Sequence, residues 1–181
     1  MSQTYSFTVR LIHWLTALLI IGLLILGFWM TSRSEANLWD ELTNTLYAWH
    51  KLIGFLVLMI TGLRILAKLT SKRPPYPSNL SQLQIKLAKS VQGALYLLLV
   101  LTPLFGWAGV TAYPALITVG DFHLPGIPGI PKDETLAKQL FQIHGYLVFT
   151  LIGISLAHIT VGLGHLWIKK DEIFGRIWFR P

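Results

Sequence analysis

There is no cysteine among the 181 residues. That excludes disulfides, thiolate metal sites, iron–sulfur clusters and covalent attachment of a c-type haem, and leaves histidine-ligated metals open. Charge is scarce too: Asp, Glu, Lys and Arg make up 13% of the chain against 53% apolar residues. Of the two signs the acidic one is scarcer, eight residues against fifteen basic, for a formal charge of +7. Such an excess can serve nucleic acid, but here the Lys and Arg flank long apolar runs. That is the pattern of cytoplasmic loops and of contact with anionic membrane lipid. No nucleic-acid partner is expected, and the chain reads as one integral membrane domain over 1–181.

Four apolar runs, roughly 11–30, 50–69, 91–112 and 141–168, are each near or above the ~20 residues that a spanning helix needs. The fold expected is all-α, a transmembrane four-helix bundle. The first run exceeds the 7–15 residues of a signal-peptide core, and no small-x-small cleavage site follows, so a retained helix is expected. Eleven of the fifteen basic residues fall on the side of the two termini and the 69–89 loop. Only Arg33, Lys51, Lys132 and Lys138 fall on the other, which puts both termini in the cytoplasm by the positive-inside rule. Pro74, Pro75 and Pro77 keep the inner loop out of helix. From Leu80 an amphipathic lead-in begins, with Asn79 or Ser81 as N-cap, and Pro103 is expected to kink the third helix. The proline- and glycine-rich 113–139 segment is expected to be irregular and to fold as a lid over the outer end.

The last run carries His144, His158 and His165. At about 100° per residue, the step from His144 to His158 falls about 40° short of four turns, and the step to His165 about 20° short of two more. All three therefore share one stripe, with the first two about 21 Å apart. An ionisable group in hydrocarbon is costly and faces a bundle interior, a cavity or a cofactor. Alternating topology puts His50 and His144 near the outer surface, and His13 and His158 in the inner half. Two pairs emerge at two depths.

Paired imidazoles on facing helices are what a six-coordinate b-type haem requires, with four porphyrin nitrogens in the equatorial plane and two neutral imidazoles axial. Ligation satisfies one ring nitrogen without water, and the other can donate to a carbonyl. Gly22, Gly27, Gly54, Gly145 and Gly153 would leave room for a flat macrocycle. The competing readings are interhelical hydrogen bonding for the histidines, close packing for the glycines, and a zinc or proton-relay site. Two separated pairs without nearby Asp or Glu make poor zinc sites. Arg64 repeats on the second helix the offset from His50 that His158 has from His144. It is either a counter-charge for haem propionates or an arginine snorkelling to the inner interface. His165 is either a hydrogen-bonding and protonating partner for a quinone or an interfacial cap beside Trp167. His123 reads as an ordinary loop residue.

In order and spacing these residues resemble the bacterial cytochrome b-561 family, four-helix di-haem membrane proteins that react with quinones. The likeness runs nearly the whole chain. It is carried by R-L-I-H-W at 10–14, H-K-L-I-G at 50–54, Arg64, the R-P-P-Y-P loop, A-L-Y-L-L-L-V-L-T-P-L-F-G at 94–106, the spacing of His144, His158 and His165, and K-K-D-E at 169–172. The resemblance implies two haem b groups, His13 and His158 as axial ligands of the inner one and His50 and His144 of the outer one, with a quinone near His165. One departure stands out. Many relatives carry a histidine four residues before the tyrosine of the third helix, where this chain has Gln92, which hydrogen-bonds but carries no proton at neutral pH.

The function this implies is electron transfer in the bacterial inner membrane between ubiquinone and an outer partner, either superoxide or a periplasmic redox protein. Lys51, Lys132 and Lys138 could draw a small anion, although Asp133 and Glu134 beside Lys132 make a solvated loop an equal account of those charges. Two other classes stay open: a haem-bearing anchor subunit of a larger dehydrogenase, and a non-redox membrane protein whose histidines serve packing or metal transport.

Overall fold

The computed structural model describes residues 4–70, 74–77, 80–116, 118–119 and 122–179. Four long helices dominate: α1 Phe7–Glu35, α2 Glu41–Thr70, α3 Gln82–Ala112 and α4 Glu134–Gly164, the last continuing through a π-helical turn, His165–Lys169. All four are long and apolar enough to cross a membrane. In the loop between α3 and α4 Thr118–Val119 pairs antiparallel with Phe122–His123, a two-residue ladder, and His123 is exposed.

Each helix begins outside the apolar run, because its start is set by a polar cap. Ser6 accepts from the Val9 N–H, Ser81 and Gln84 form a reciprocal capping box, and Asp133 accepts from the Leu136 N–H. Such side chains satisfy amide donors that the first helical turn leaves without partners. Of the two N-cap candidates for α3, Ser81 fills the role and Asn79 lies outside the described residues. α3 runs unbroken through Pro103.

The segment between the first two spans is mostly helix, and the connection shrinks to 36–40. Asn37 takes a left-handed conformation (φ 57°), which asparagine tolerates better than most side chains. Asp40 then caps α2, accepting from the Thr43 N–H at 3.0 Å while its other oxygen meets Arg33. Thr43, fully buried, donates to the Leu38 carbonyl at 2.7 Å and accepts from Arg33 Nε at 2.8 Å.

α1 packs chiefly on α2 and α4 chiefly on α3, and α2–α3 contacts join the two hairpins. The core between them is Val57, Leu98, Leu99 and Leu151, with Leu19, Ile20, Leu23, Ile53, Leu95, Leu147 and Ile154 packed around it. Large apolar side chains on the opposite faces, such as Leu11, Leu15, Leu18, Ile21 and Ile25 of α1, are exposed as lipid contact requires. Lipid tails are as apolar as leucine, so close packing rather than exclusion of water holds the helices together. Past α3 the chain folds back on the bundle end at which α3 finishes. Trp107 Nε1 donates to the Pro125 carbonyl (3.1 Å), the Asp133 N–H to the Ala112 carbonyl (3.0 Å), and Lys51 Nζ to the Ala115 and Leu116 carbonyls (3.0 and 3.3 Å).

The Thr43 amide first, then Arg33, hold the Asp40 carboxyl down to about 2, against an ordinary value of 3.8. A depressed carboxylate contributes stability that is full above its unfolded value and fades as pH falls through the folded one. Thermal unfolding of wild type should therefore lose ground between about pH 4 and pH 2, the window those two values bracket. Asp40→Asn, which keeps an N-cap oxygen without the charge, should lose less over the same window.

Candidate functional site

One spacing recurs on all four helices. His13 and Gly27 on α1, His50 and Arg64 on α2, Gln92 and Gly106 on α3, and His144 and His158 on α4 are each 14 residues apart. That is about 21 Å of helix and nearly whole turns, so each pair marks one face at two depths. Because the helices alternate in direction, Gly27, His50, Gly106 and His144 fall at one level, and His13, Arg64, Gln92 and His158 at the other. The apolar core fills the space between.

At the first level His50 and His144 face each other, with ring centroids 6.3 Å apart. Neither opens its helix, as the apolar runs alone suggest; they lie nine and ten residues inside α2 and α4, about 14 Å from each start. A glycine seats each ring. A Cβ on Gly106 would lie 3.2 Å from His144 Nδ1 and Cε1, and one on Gly27 would lie 3.2 Å from His50 Cε1. The close approach over Gly106 lets His144 Nδ1 reach the Thr102 carbonyl at 2.8 Å, one helical turn earlier on α3. A carbonyl only accepts, so Nδ1 carries the proton and Nε2 keeps its lone pair. His50 Nδ1 is buried without a hydrogen-bond partner among the described residues. At Gly22, Gly54, Gly145 and Gly153 an added Cβ would meet nothing within 4 Å.

At the second level His13 and His158 face each other at 6.4 Å between centroids. Arg64 Nη2 donates to His13 Nδ1 at 2.7 Å, and its guanidinium lies over the Tyr96 ring, 5.2 Å from the centroid. Lys68 Nζ sits over the same ring at 4.3 Å. Gln92, one turn before Tyr96, is half-buried. Arginine only donates, so a neutral His13 in this contact carries its proton on Nε2, the reverse of His144.

The ring spacings bear on what such pairs can hold. Two metal–imidazole bonds of about 2 Å, with ~1.1 Å from each bonded nitrogen to its ring centre, span about 6.2 Å. Both pairs match one metal atom held between two opposed imidazoles. Zinc sites take three or four protein ligands, and among the described residues no group of three or more His, Asp or Glu is placed to hold a metal ion. Two donors per level suit a metal whose remaining positions come from a macrocycle. His144 already presents Nε2. His13 does so only when Arg64 gives up Nδ1.

His165 stands apart from both pairs, in the π-helical turn at the end of α4, and is buried. Its Nδ1 is 2.7 Å from Asp171 Oδ2. No hydrogen bond joins it to Gln92 among the described residues. Sequence reasoning overlooked Gly106 as the seat of His144 and Asp171 as the partner of His165. The repeated 14-residue offset would have found the first, whereas nothing in the local pattern announces the second.

The chain matches the family model described as prokaryotic cytochrome b561 over residues 4–180. It is also 30% identical to cytochrome b561 homolog 2 of Escherichia coli (strain K12) over 177 residues, which cover 97% of this chain and 91% of that protein.

A side chain at Gly106 should disturb the first level selectively. Gly106→Val is expected to lower haem retention in the purified protein, since a Cβ there would lie 3.2 Å from the His144 ring. Gly62→Ala, at an exposed position where a Cβ meets nothing, should leave it unchanged. Pyridine haemochrome content per chain reads both.

Proposed function

The chain belongs to the prokaryotic cytochrome b561 family of membrane proteins, and from that premise we propose that it carries electrons across the bacterial inner membrane through two bis-histidine haem b groups to ubiquinone. The observation that carries this reading is the pair of imidazole couples, at 6.3 and 6.4 Å, set about 21 Å apart along α4. His50 and His144 hold the outer group, and His13 and His158 the inner one. When bound, haem would supply one-electron redox chemistry at each level, tuned by the histidine rings that hold it and by what those rings hydrogen-bond.

The rest falls to the side chains. The Thr102 carbonyl fixes the His144 ring and its tautomer, and Gly27 and Gly106 set how closely His50 and His144 approach α1 and α3. Were His13 to hold the group through Nε2, its proton would sit on Nδ1, and Arg64 would be free to offer its planar charged fork to a propionate carboxylate. Gln92 contributes hydrogen bonding at this level without a proton. His165, nearer the inner end, meets the quinone and exchanges protons with it. The apolar core between the levels keeps water and stray protons out of the electron path.

Both termini and the 69–89 loop lie on the cytoplasmic side in this reading, by the asymmetry of Lys and Arg. The outer donor is a small anion, with superoxide the candidate. Lys51, adjacent to His50, is held by two loop carbonyls and keeps a cation close to the outer pair. Each superoxide gives one electron and leaves as dioxygen, and two such electrons with two protons convert one quinone to quinol.

A dithionite-reduced minus oxidised spectrum should show low-spin b-type bands at about two haems per chain, as two bis-histidine sites require. His158→Ala should retain about one. A colourless protein that takes up no haem would remove the proposal. Anaerobic addition of superoxide should reduce the bands; reduction by quinol alone would reverse the direction of flow. Since the chain has no cysteine, a single Ser81→Cys is a clean topology probe, expected to resist a membrane-impermeant thiol reagent in intact cells, whereas Ser34→Cys reacts.

A further inference from the structure

We propose that Asp171 is the positioning residue for His165: it holds Nδ1 and so commits Nε2 to proton exchange with the quinone oxygen. The proposal rests on the reading that His165 meets the quinone. It starts from a local departure in the backbone. α4 widens into the π-helical turn His165–Lys169, and Lys170 follows in the left-handed region with φ 50°. The N–H groups of Lys170 and Asp171 both turn back to the His165 carbonyl. This reversal, rare for a side chain as large as lysine, swings the Asp171 carboxylate under the His165 ring.

The carboxylate then makes two bonds in different directions. Oδ2 meets His165 Nδ1 at 2.7 Å, and Oδ1 accepts from the Ile173 N–H at 3.1 Å. Burial pushes the Asp171 carboxyl up, but the hydrogen bonds from His165 and Ile173 outweigh it and hold it below the usual carboxylate range. An ionised carboxylate only accepts, so the proton of the shared bond sits on Nδ1. Nε2 is left as the nitrogen available for proton exchange, with the ring held in place by the Asp171 carboxylate. A carboxylate behind an imidazole sets tautomer and orientation in this way wherever the ring works as an acid or base.

The chain beyond Asp171 is anchored in turn. The 3-10 turn Phe174–Arg176 and the residues after it are strapped to the inner end of the bundle. Arg176 Nη1 donates to the Pro75 carbonyl, Trp14 Nε1 to the Ile177 carbonyl at 3.0 Å, Arg10 Nη1 to the Trp178 carbonyl at 3.0 Å, and the Tyr5 N–H to the Arg176 carbonyl at 3.1 Å. The Trp14 and Trp178 rings meet edge-on at 5.1 Å. A hydrogen bond serving only to end α4 has no need of this support, since Lys170 and Asp171 already bond the chain back through their amides.

The proton balance is simple. Two electrons from two one-electron outer donors enter the quinone. His165 Nε2–H gives one proton to a quinone oxygen, and the ring is recharged from cytoplasmic water and gives the second. Asp171 stays ionised throughout.

The test is stopped-flow oxidation of pre-reduced holoprotein, freed of reductant, by ubiquinone-1, in wild type, Asp171→Asn, His165→Ala and the double variant. Asp171→Asn should keep the haem spectrum and the half-saturating quinone concentration, while the saturating rate falls about 10- to 100-fold, at or below the low end of general acid–base effects. The double variant should be no slower than His165→Ala. A wild-type rate for His165→Ala overturns the quinone reading itself. A slow His165→Ala beside a normal Asp171→Asn overturns only the role of Asp171. If Asp171→Asn fails to retain haem, Asp171→Glu replaces it: a rate loss of about tenfold with haem retained supports the proposal, and a wild-type rate overturns it.

Discussion

The rest of the structure depends on the cost of placing an imidazole in hydrocarbon. A histidine facing lipid would leave a ring donor and acceptor without partners, so the four deep histidines pair across the bundle, and three of them have a neighbour shaped to receive them. His144 finds the Thr102 carbonyl over Gly106, His50 fits over Gly27, and His13 takes a hydrogen bond from Arg64. Once two such levels exist about 21 Å apart on one helix, the other three helices must offer something at the same two depths. They do so at the same 14-residue interval. The apolar residues between are then confined to the gap, which is where Val57, Leu98, Leu99 and Leu151 lie.

The two levels differ in chemistry although they share a ring spacing. The outer one is made of imidazoles and glycines, so its fixed polar partners are backbone carbonyls. The inner one replaces the glycines with Arg64 and Gln92, and draws Lys68 and Tyr96 close. A guanidinium at the inner level is a permanent positive charge in a poorly screened place. Such a charge favours the electron-rich form of whatever redox group lies beside it. The two levels thus differ in how charge is placed: Arg64 donates directly to His13 at one, whereas at the other the nearby cation, Lys51, is turned to the Ala115 and Leu116 carbonyls.

Much of this was legible in the sequence, and what was not has physical causes. The four spans follow from apolar run length, and the inward stripe of α4 from helical period, since both are local properties. The helix ends were misjudged because hydropathy marks where lipid begins, while Ser6, Asp40, Ser81 and Asp133 mark where the backbone begins to coil. That error placed His50 and His144 at helix starts instead of more than two turns inside. Gly27 was read as making room for a macrocycle, and its contact with the His50 ring, across two helices, could not be read from local sequence. Asp171 was unreadable because its contact depends on a π turn followed by a left-handed lysine, and neither leaves a mark in composition. The assignment of roles to the histidine pairs came from the resemblance and from coordination chemistry, beyond anything periodicity alone supplies.

One feature of the pairing governs how the protein can be made. Each imidazole couple takes one member from α4, while the other members come from α1 and α2, which leave the ribosome first. The opening hairpin can insert and close by itself around Thr43, Arg33 and Asp40, but it contains half of each couple and completes neither. Both levels come into being together, when the final helix enters the bilayer and the residues after it fasten to Trp14 and Arg10. Biogenesis therefore has a single late checkpoint. A chain interrupted before α4 is not a partly functional intermediate carrying one site but a membrane hairpin with none.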